Sequence, residues 1–154
     1  MEGPQEYKVR ITVKSRQVDL QGEIQDMELF TEGLLTWQEG RAVISYDESE
    51  TSGMEGSRTV ITMAPEHAVI LRTGPVSMEQ EFLPGFPTDT AYVTPYGRMG
   101  IRTDTRQVDL RQDPGDMELF LDYDLYINGN LTSRNTVTVR VLDGPLFSAG
   151  GKLV

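Results

Sequence analysis

Met117-Glu118-Leu119-Phe120-Leu121-Asp122-Tyr123-Asp124-Leu125-Tyr126-Ile127 carries an apolar residue at every odd position, while Glu118, Asp122 and Asp124 share the even positions with Phe120 and Tyr126. Side chains of an extended chain point alternately to opposite faces, so a period of two marks a β-strand with one buried side. Outward from this segment the alternation recurs in runs near 5–20, 26–37, 41–48, 57–63, 67–73, 76–83, 89–94, 98–110, 116–127 and 131–142, separated by Gly, Pro, Asn and Asp that favour turns. No stretch carries a 3.6-residue apolar stripe, and only 51–55 and 84–87 leave room for a short helical turn. Short connections favour a meander, and a meander of about eight or more strands removes its exposed edges by closing on itself. The sequence therefore predicts an all-β fold, a single closed antiparallel up-and-down β-barrel over about 5–142 with a tail at 143–154, in one domain of 154 residues.

Directly opposed residues of an antiparallel pair share a face, so loop length sets which side chains point inward. A two-residue Gly74-Pro75 turn would pair Thr73 with Val76 and align Val69 and Leu71 with Val76, Met78 and Phe82; Gly in first place suits a type II′ turn. A three-residue Ala64-Pro65-Glu66 connection would pair Met63 with His67 and put Ile61 on the face of Val69. After Ile127, a two-residue Asn128-Gly129 turn would send Val137, Val139 and Val141 away from the core, which predicts a three-residue loop, Asn128 to Asn130. In the first run Tyr7, Val9, Ile11 and Val13 are odd but Val18 and Leu20 even, which predicts a slip of phase near Ser15, as a bulge or bend makes it.

One text occurs twice. Arg16-Gln17-Val18-Asp19-Leu20 returns as Arg106 to Leu110, and Asp26-Met27-Glu28-Leu29-Phe30 as Asp116 to Phe120, both at an offset of 90 residues. The residues between differ at every position and read as turns. Each copy thus predicts strand, loop, strand; two hairpins with the same packing need explain the repeat more simply than two binding elements do.

A net charge of −10 and a pI near 4.5 argue against nucleic acid or an anionic membrane surface as a partner, since both demand a positive stripe. With no cysteine, disulfides, thiolate metal sites and a Cys nucleophile are ruled out, in keeping with a reducing compartment. Met1 to Glu6 lack a basic and then an apolar region, so no signal peptide is expected and the cytoplasm is the default location. Asn130-Leu131-Thr132 spells a glycosylation acceptor, expected to stay bare without a secretory route. No apolar run approaches membrane-spanning length.

No catalytic signature stands out. Parity places Glu48 on the face of Ile44 and Tyr46; were that face the interior, an ionised carboxylate there would need a partner or a proton, a mark of a binding or acid–base group. The simpler reading is a strand end that has reached solvent, since Glu50 and Ser52 follow at once. As a calcium loop Asp47 to Arg58 fails, with Ser52 where the sharp-turn Gly belongs and Arg58 where the bidentate Glu belongs. His67, the only histidine, follows turn residues and reads as a solvated hairpin position, and without a second His or any Cys no transition-metal constellation can assemble. Gly150-Gly151-Lys152 lacks the strand-to-helix context and the earlier Gly of a phosphate loop. Trp37 continues the odd face of Leu29 and Leu35 and reads as core. The candidates are thus polar groups at a barrel mouth, where ligand pockets form: Tyr46, Glu48, Arg72, Tyr92 and Tyr96, with the inward face of the 68–72 strand left open. No metal and no cofactor is expected.

Tyr46-Asp47-Glu48-Ser49, Gly53-Met54-Glu55-Gly56 and Thr59, then Leu71-Arg72-Thr73-Gly74, Thr94-Pro95-Tyr96-Gly97 and Asp122-Tyr123-Asp124-Leu125, resemble the bacterial YwiB-like family, which carries a domain-of-unknown-function label. The resemblance implies a calycin or lipocalin-like barrel over roughly 5 to 142 and brings no substrate, cofactor or catalytic residue. By analogy with that fold, the expected function is binding of a small, partly apolar ligand inside the barrel; fold alone does not decide function. The alternative is a filled barrel acting as an interaction or structural module, monomeric or homodimeric, through the outward Phe30, Leu34, Phe120 and Tyr126. Carboxylate-based hydrolase or isomerase chemistry has the least support.

Overall fold

The computed structural model describes residues 5–143, so the expectations for the first residues, for the tail and for Gly150-Gly151-Lys152 lie outside the described residues. Ten strands follow one another: β1 (Tyr7–Asp19), β2 (Ile24–Gln38), β3 (Arg41–Asp47), β4 (Arg58–Ala64), β5 (His67–Thr73), β6 (Met78–Phe82), β7 (Thr88–Thr94), β8 (Gly97–Asp113), β9 (Asp116–Ile127) and β10 (Asn130–Leu142). They make a single sheet in the order β6-β5-β4-β3-β2-β1-β10-β9-β8-β7, an up-and-down meander joined through β1 and β10. The ring comes together at a seam between β6 and β7, where Ser77 and Val93 exchange two backbone hydrogen bonds of 2.9 Å and the Thr88 hydroxyl donates to the Glu81 carbonyl at 2.7 Å. Among the described residues only Glu50–Ser52 is helical, one 3-10 turn.

The inward stripes follow the alternation. Val9, Ile11, Leu35, Ala42, Ile44, Met63, Ala68, Phe82, Leu119, Leu121, Val139 and Val141 are buried together, each large aliphatic side chain contributing about 1.5–3 kcal/mol. Trp37 packs against this core. Towards the end where β1–β2, β3–β4, β5–β6, β7–β8 and β9–β10 turn, here the upper end, the same inward positions become polar: Thr59, Gln80, Thr103, Thr105, Ser133 and Asn135 are all buried. β2 passes close to β3 at Gly33, where a Cβ would stand 2.4 Å from the Ser45 carbonyl oxygen; only glycine permits that approach.

The register corrects four expectations from sequence. The β9–β10 turn is the two-residue Asn128-Gly129, with φ of 49° and 86° as a type I′ turn requires. The odd residue is absorbed instead at a bulge between Leu131 and Ser133, which keeps Val137, Val139 and Val141 opposite Leu121, Leu119 and Met117. In β5–β6, Arg72 rather than Leu71 faces Met78. Val76 is held out of the ladder because its N–H donates to Ser57 Oγ at 3.0 Å and its carbonyl accepts from that hydroxyl at 3.3 Å. Ala68, Ile70 and Arg72 therefore face inward, and Val69 and Leu71 outward. At β4–β5 the loop is only Pro65-Glu66, with Glu66 at φ 61°, the positive φ that a type II turn needs after proline; Ile61 consequently opposes Ile70, not Val69. Finally, β1 runs in unbroken register with both neighbours through Val18, so there is no slip at Ser15, and Ser15 and Gln17 simply continue the inward face as polar residues.

The slip occurs in the other copy of the repeat. β8 carries a bulge between Thr105 and Gln107, which turns Val108 into the core at 7 % exposure while its counterpart Val18 is only half-buried and Leu20 lies 64 % exposed. The bulged Arg106 reaches Asp122 at 3.0 Å and Asp124 at 2.7 Å, whereas Arg16 pairs across its hairpin with Asp26 at 2.8 Å. Both copies are strand, loop, strand, but their registers differ: Arg16 opposes Asp26, while Asp116 opposes Asp113.

Candidate functional site

At the upper end, strands β3 to β6 place Tyr46, Thr59, Arg72 and Met78 in one transverse row, since Tyr46 opposes Thr59, Thr59 opposes Arg72 and Arg72 opposes Met78. Glu48 stands two residues beyond Tyr46 and is 6 % exposed. The β3–β4 connection is clamped to the β5–β6 turn: Glu48 N–H donates to the Ser57 carbonyl at 2.8 Å, Ser57 Oγ holds Val76 as described, and a Cβ on Gly74 would meet the Gly56 carbonyl oxygen at 2.9 Å. Gly74, at φ 121°, thus serves both the turn and the close approach. This clamp accounts structurally for the Gly56-Ser57 and Thr73-Gly74 text.

Below that rim lies an interior cavity of about 170 Å³, bounded by Tyr46, Arg72, Gln80, Tyr123, Asn135, Ser15 and Gln17, with Ile61, Ile70, Val137 and Val139 as its apolar wall. Gln80 Nε2 donates to Thr103 Oγ1 at 2.9 Å and Asn135 Nδ2 to Ser133 Oγ at 2.9 Å. The Tyr123 ring packs edge-on against Phe82 with centroids 4.9 Å apart. In contrast, Arg72 Nε, both Glu48 carboxyl oxygens, Thr59 Oγ1 and Thr105 Oγ1 are buried and have no hydrogen-bond partner. Each such group costs about 1–3 kcal/mol when left without one. Thr59 and Ser52 approach Glu48 without completing a hydrogen bond of proper geometry.

Electrostatically the row is a unit. Burial pushes the Tyr46 phenol up to about 12, the Glu48 charge acting in the same direction and Arg72 against it. Burial also raises the Glu48 carboxyl above its ordinary range, opposed by the Arg72 charge, and raises the Tyr123 phenol, again with Arg72 opposing. Arg72 therefore sits between two buried phenols and a buried carboxyl, a fixed positive charge in a low-dielectric wall.

Of the residues singled out in the sequence, the fold brings Tyr46, Glu48 and Arg72 together. Tyr92 is a half-buried residue of β7 opposite Met99, and Tyr96 is 99 % exposed at the tip of the Pro95-Tyr96 turn; neither lines the cavity. Glu48 is not the solvated strand end of the simpler reading. His67 is half-buried, its Nε2 2.8 Å from Glu81 Oε2. Sequence reasoning missed Gln80, Tyr123, Asn135, Ser15 and Gln17 as site residues, although a polar side chain continuing an apolar inward stripe is the same signal that drew attention to Glu48.

Two other features are less suited to a ligand. An outer groove of about 520 Å³ is lined by Lys8, Arg10, Glu32, Leu34, Arg58 and Asp143, but both of its arginines are already paired, Arg10 with Asp143 and Arg58 with Asp47. Phe30, 71 % exposed, and the half-buried Phe120 are kept apart by β1 and β10, whose residues in the two rows are Thr12 and Arg140, and Lys14 and Thr138. No group of three or more His, Asp or Glu side chains among the described residues could hold a metal ion, and no helix among them is long and apolar enough to cross a membrane.

Ring closure through a meander and a polar-lined interior define a ten-stranded antiparallel β-barrel protein. The chain belongs to the family described as Domain of unknown function (DUF1934), whose profile matches residues 11–139. It is similar to the "Uncharacterized beta-barrel protein YwiB" of Bacillus subtilis (strain 168), 22 % identical over 135 residues that cover 88 % of this chain and 93 % of the relative. The crystal structure of the ywiB protein from Bacillus subtilis superposes with a TM-score of 0.81, covering 92 % of this chain and 95 % of that one; at 22 % identity this likeness speaks for the fold.

Proposed function

We propose that this protein is a non-enzymatic binder of a small molecule, taken into the upper part of the barrel with a compact polar or anionic group at Arg72 and a short apolar body against Ile61, Ile70, Val137 and Val139. The observation that carries this reading is the buried Arg72 Nε without a partner on the wall of a 170 Å³ cavity. A site with half apolar lining and a few convergent polar groups is how small-molecule pockets are built. Such a volume holds five or six waters at about 30 Å³ each, so the ligand is about the size of a short-chain carboxylate. Absence of cysteine supports a cytoplasmic setting.

The test is native mass spectrometry of protein purified from its own host, followed by amide chemical-shift titration with a panel of short-chain carboxylates and sulfonates. A retained mass, or saturable shifts centred on Arg72, Gln80, Tyr123 and Asn135 that vanish in Arg72→Met, is the expected result. Neither a retained mass nor cavity-centred shifts would overturn the reading in favour of a filled scaffold.

A further inference from the structure

We propose that the cavity binds its anionic ligand together with a proton: the anion takes over the charge of Arg72 from Glu48, and Glu48 becomes a neutral carboxylic acid. This rests on the cavity-binding reading above and adds its regulation.

The geometry leading to it is the pair of half-satisfied charged groups. Arg72 lies on the cavity wall with its Nε buried and partnerless, and both Glu48 oxygens are buried and partnerless. The two are brought near each other by the Tyr46, Thr59, Arg72 row, yet they form no direct ion pair of the kind that Arg106 makes with Asp124 at 2.7 Å. The groups facing Glu48 are Tyr46 near the end of β3, Arg72 from β5, and the hydroxyls of Thr59 on β4 and Ser52 in the loop. Among these Arg72 alone is positive and is the strongest influence favouring the ionised carboxylate against the burial that disfavours it, with the Ser52 and Thr59 hydroxyls acting in the same direction.

An anion seated on Arg72 removes that support twice over, by neutralising the guanidinium and by adding a negative charge nearby. The proton arrives from solvent and ends on a Glu48 oxygen; no other bond changes. By linkage the affinity for the anion then rises as pH falls. Glu48 thereby acts as the barrel's own internal counter-ion, which a ligand must displace.

The experiment uses propane-1-sulfonate, which stays ionised throughout, so that any pH dependence belongs to the protein, with butanamide as a neutral control of similar length. Dissociation constants are measured by chemical-shift titration from pH 5 to 8 on the full chain and on Glu48→Gln. For the parent, sulfonate affinity is expected to strengthen with falling pH, by up to about tenfold per unit where one proton is linked, while Glu48→Gln binds with little pH dependence and near the parent's acid limit. Sulfonate binding at the cavity with the same pH profile in both proteins would overturn the proton coupling and leave the binding reading standing. Absence of cavity binding by sulfonate and amide alike, in both proteins, would overturn both.

Discussion

Replacing Gly33 by alanine probes the closest backbone approach in the barrel. The new methyl carbon would lie 2.4 Å from the Ser45 carbonyl oxygen and 2.6 Å from Ile11 Cδ1, where ordinary contact begins at 3.4 Å. Ile11 ends in a flexible side chain and can turn away, but the Ser45 oxygen belongs to the β3 backbone. Relief therefore requires β3 to move off β2 by about 1 Å, a fifth of the normal strand spacing of about 4.8 Å. That strains the Leu34–Ser45 and Leu35–Ile44 pairing next to it. Overpacking of this kind costs about 1–3 kcal/mol, and one or two weakened backbone hydrogen bonds add about 1 kcal/mol each. The reduced freedom of the unfolded chain returns about 0.4–1 kcal/mol. We expect a net loss of about 2–4 kcal/mol, read in urea unfolding as a midpoint lowered by about 1–2 M at a slope near 2 kcal/mol/M. Gly100→Ala is the control, because its Cβ would meet only Asn128 Oδ1 at 3.6 Å, and its midpoint should stay close to the parent's. Equal midpoints for the two variants would refute the argument that Gly33 is required by the β2–β3 approach.

Ser77→Cys with Val93→Cys introduces the only two cysteines of the chain at residues that exchange backbone hydrogen bonds; oxidation should raise stability by about 3 kcal/mol, as for a closed loop of about 15 residues, and a melting temperature indifferent to reductant would show that the seam does not close as described. Deleting Thr132 removes the extra residue of the β10 bulge and leaves Leu131 opposite Tyr126 and Ser133 opposite Leu125 in a regular ladder, so the Asn128-Gly129 turn and the inward set Val137, Val139 and Val141 are both kept. Near-UV circular dichroism should stay native-like, and a collapsed spectrum would contradict the assignment. For Glu48, burial holds the folded carboxyl above its ordinary range, so between the unfolded and the folded values the native state keeps a proton that the unfolded chain has lost, and above that window Glu48 is ionised in both. Its contribution to stability is present at low pH and is lost as pH rises through the folded value. Glu48→Gln cannot ionise and should therefore gain on the parent in urea midpoint as pH increases; a difference constant with pH would count against the burial.

Alternation is a local property, and it shows plainly in segments such as Met117 to Ile127 and Arg41 to Asp47. Loop parity was legible only as a constraint. At Asn128 the sequence demanded one odd residue but could not say whether turn or strand would take it, because a bulge is settled by the partner strand's register. At Val76 the deciding partner, Ser57, is remote in sequence. For the same reason Tyr46, Glu48 and Arg72 were legible as polar groups on inward-capable strands, while Gln80, Tyr123 and Asn135 were not recognised as their neighbours.

By itself, then, the amino-acid order determined strand positions, the all-β class and the closed meander, since period-two hydrophobicity and turn residues act over a few neighbouring positions. Only the tertiary structure decided which face of β5 looks inward, which copy of the repeated text is bulged, and that the Glu48 carboxyl is buried near the Arg72 guanidinium of the cavity wall. Those outcomes depend on cross-strand register around the whole ring, where a shift of one residue exchanges interior for exterior.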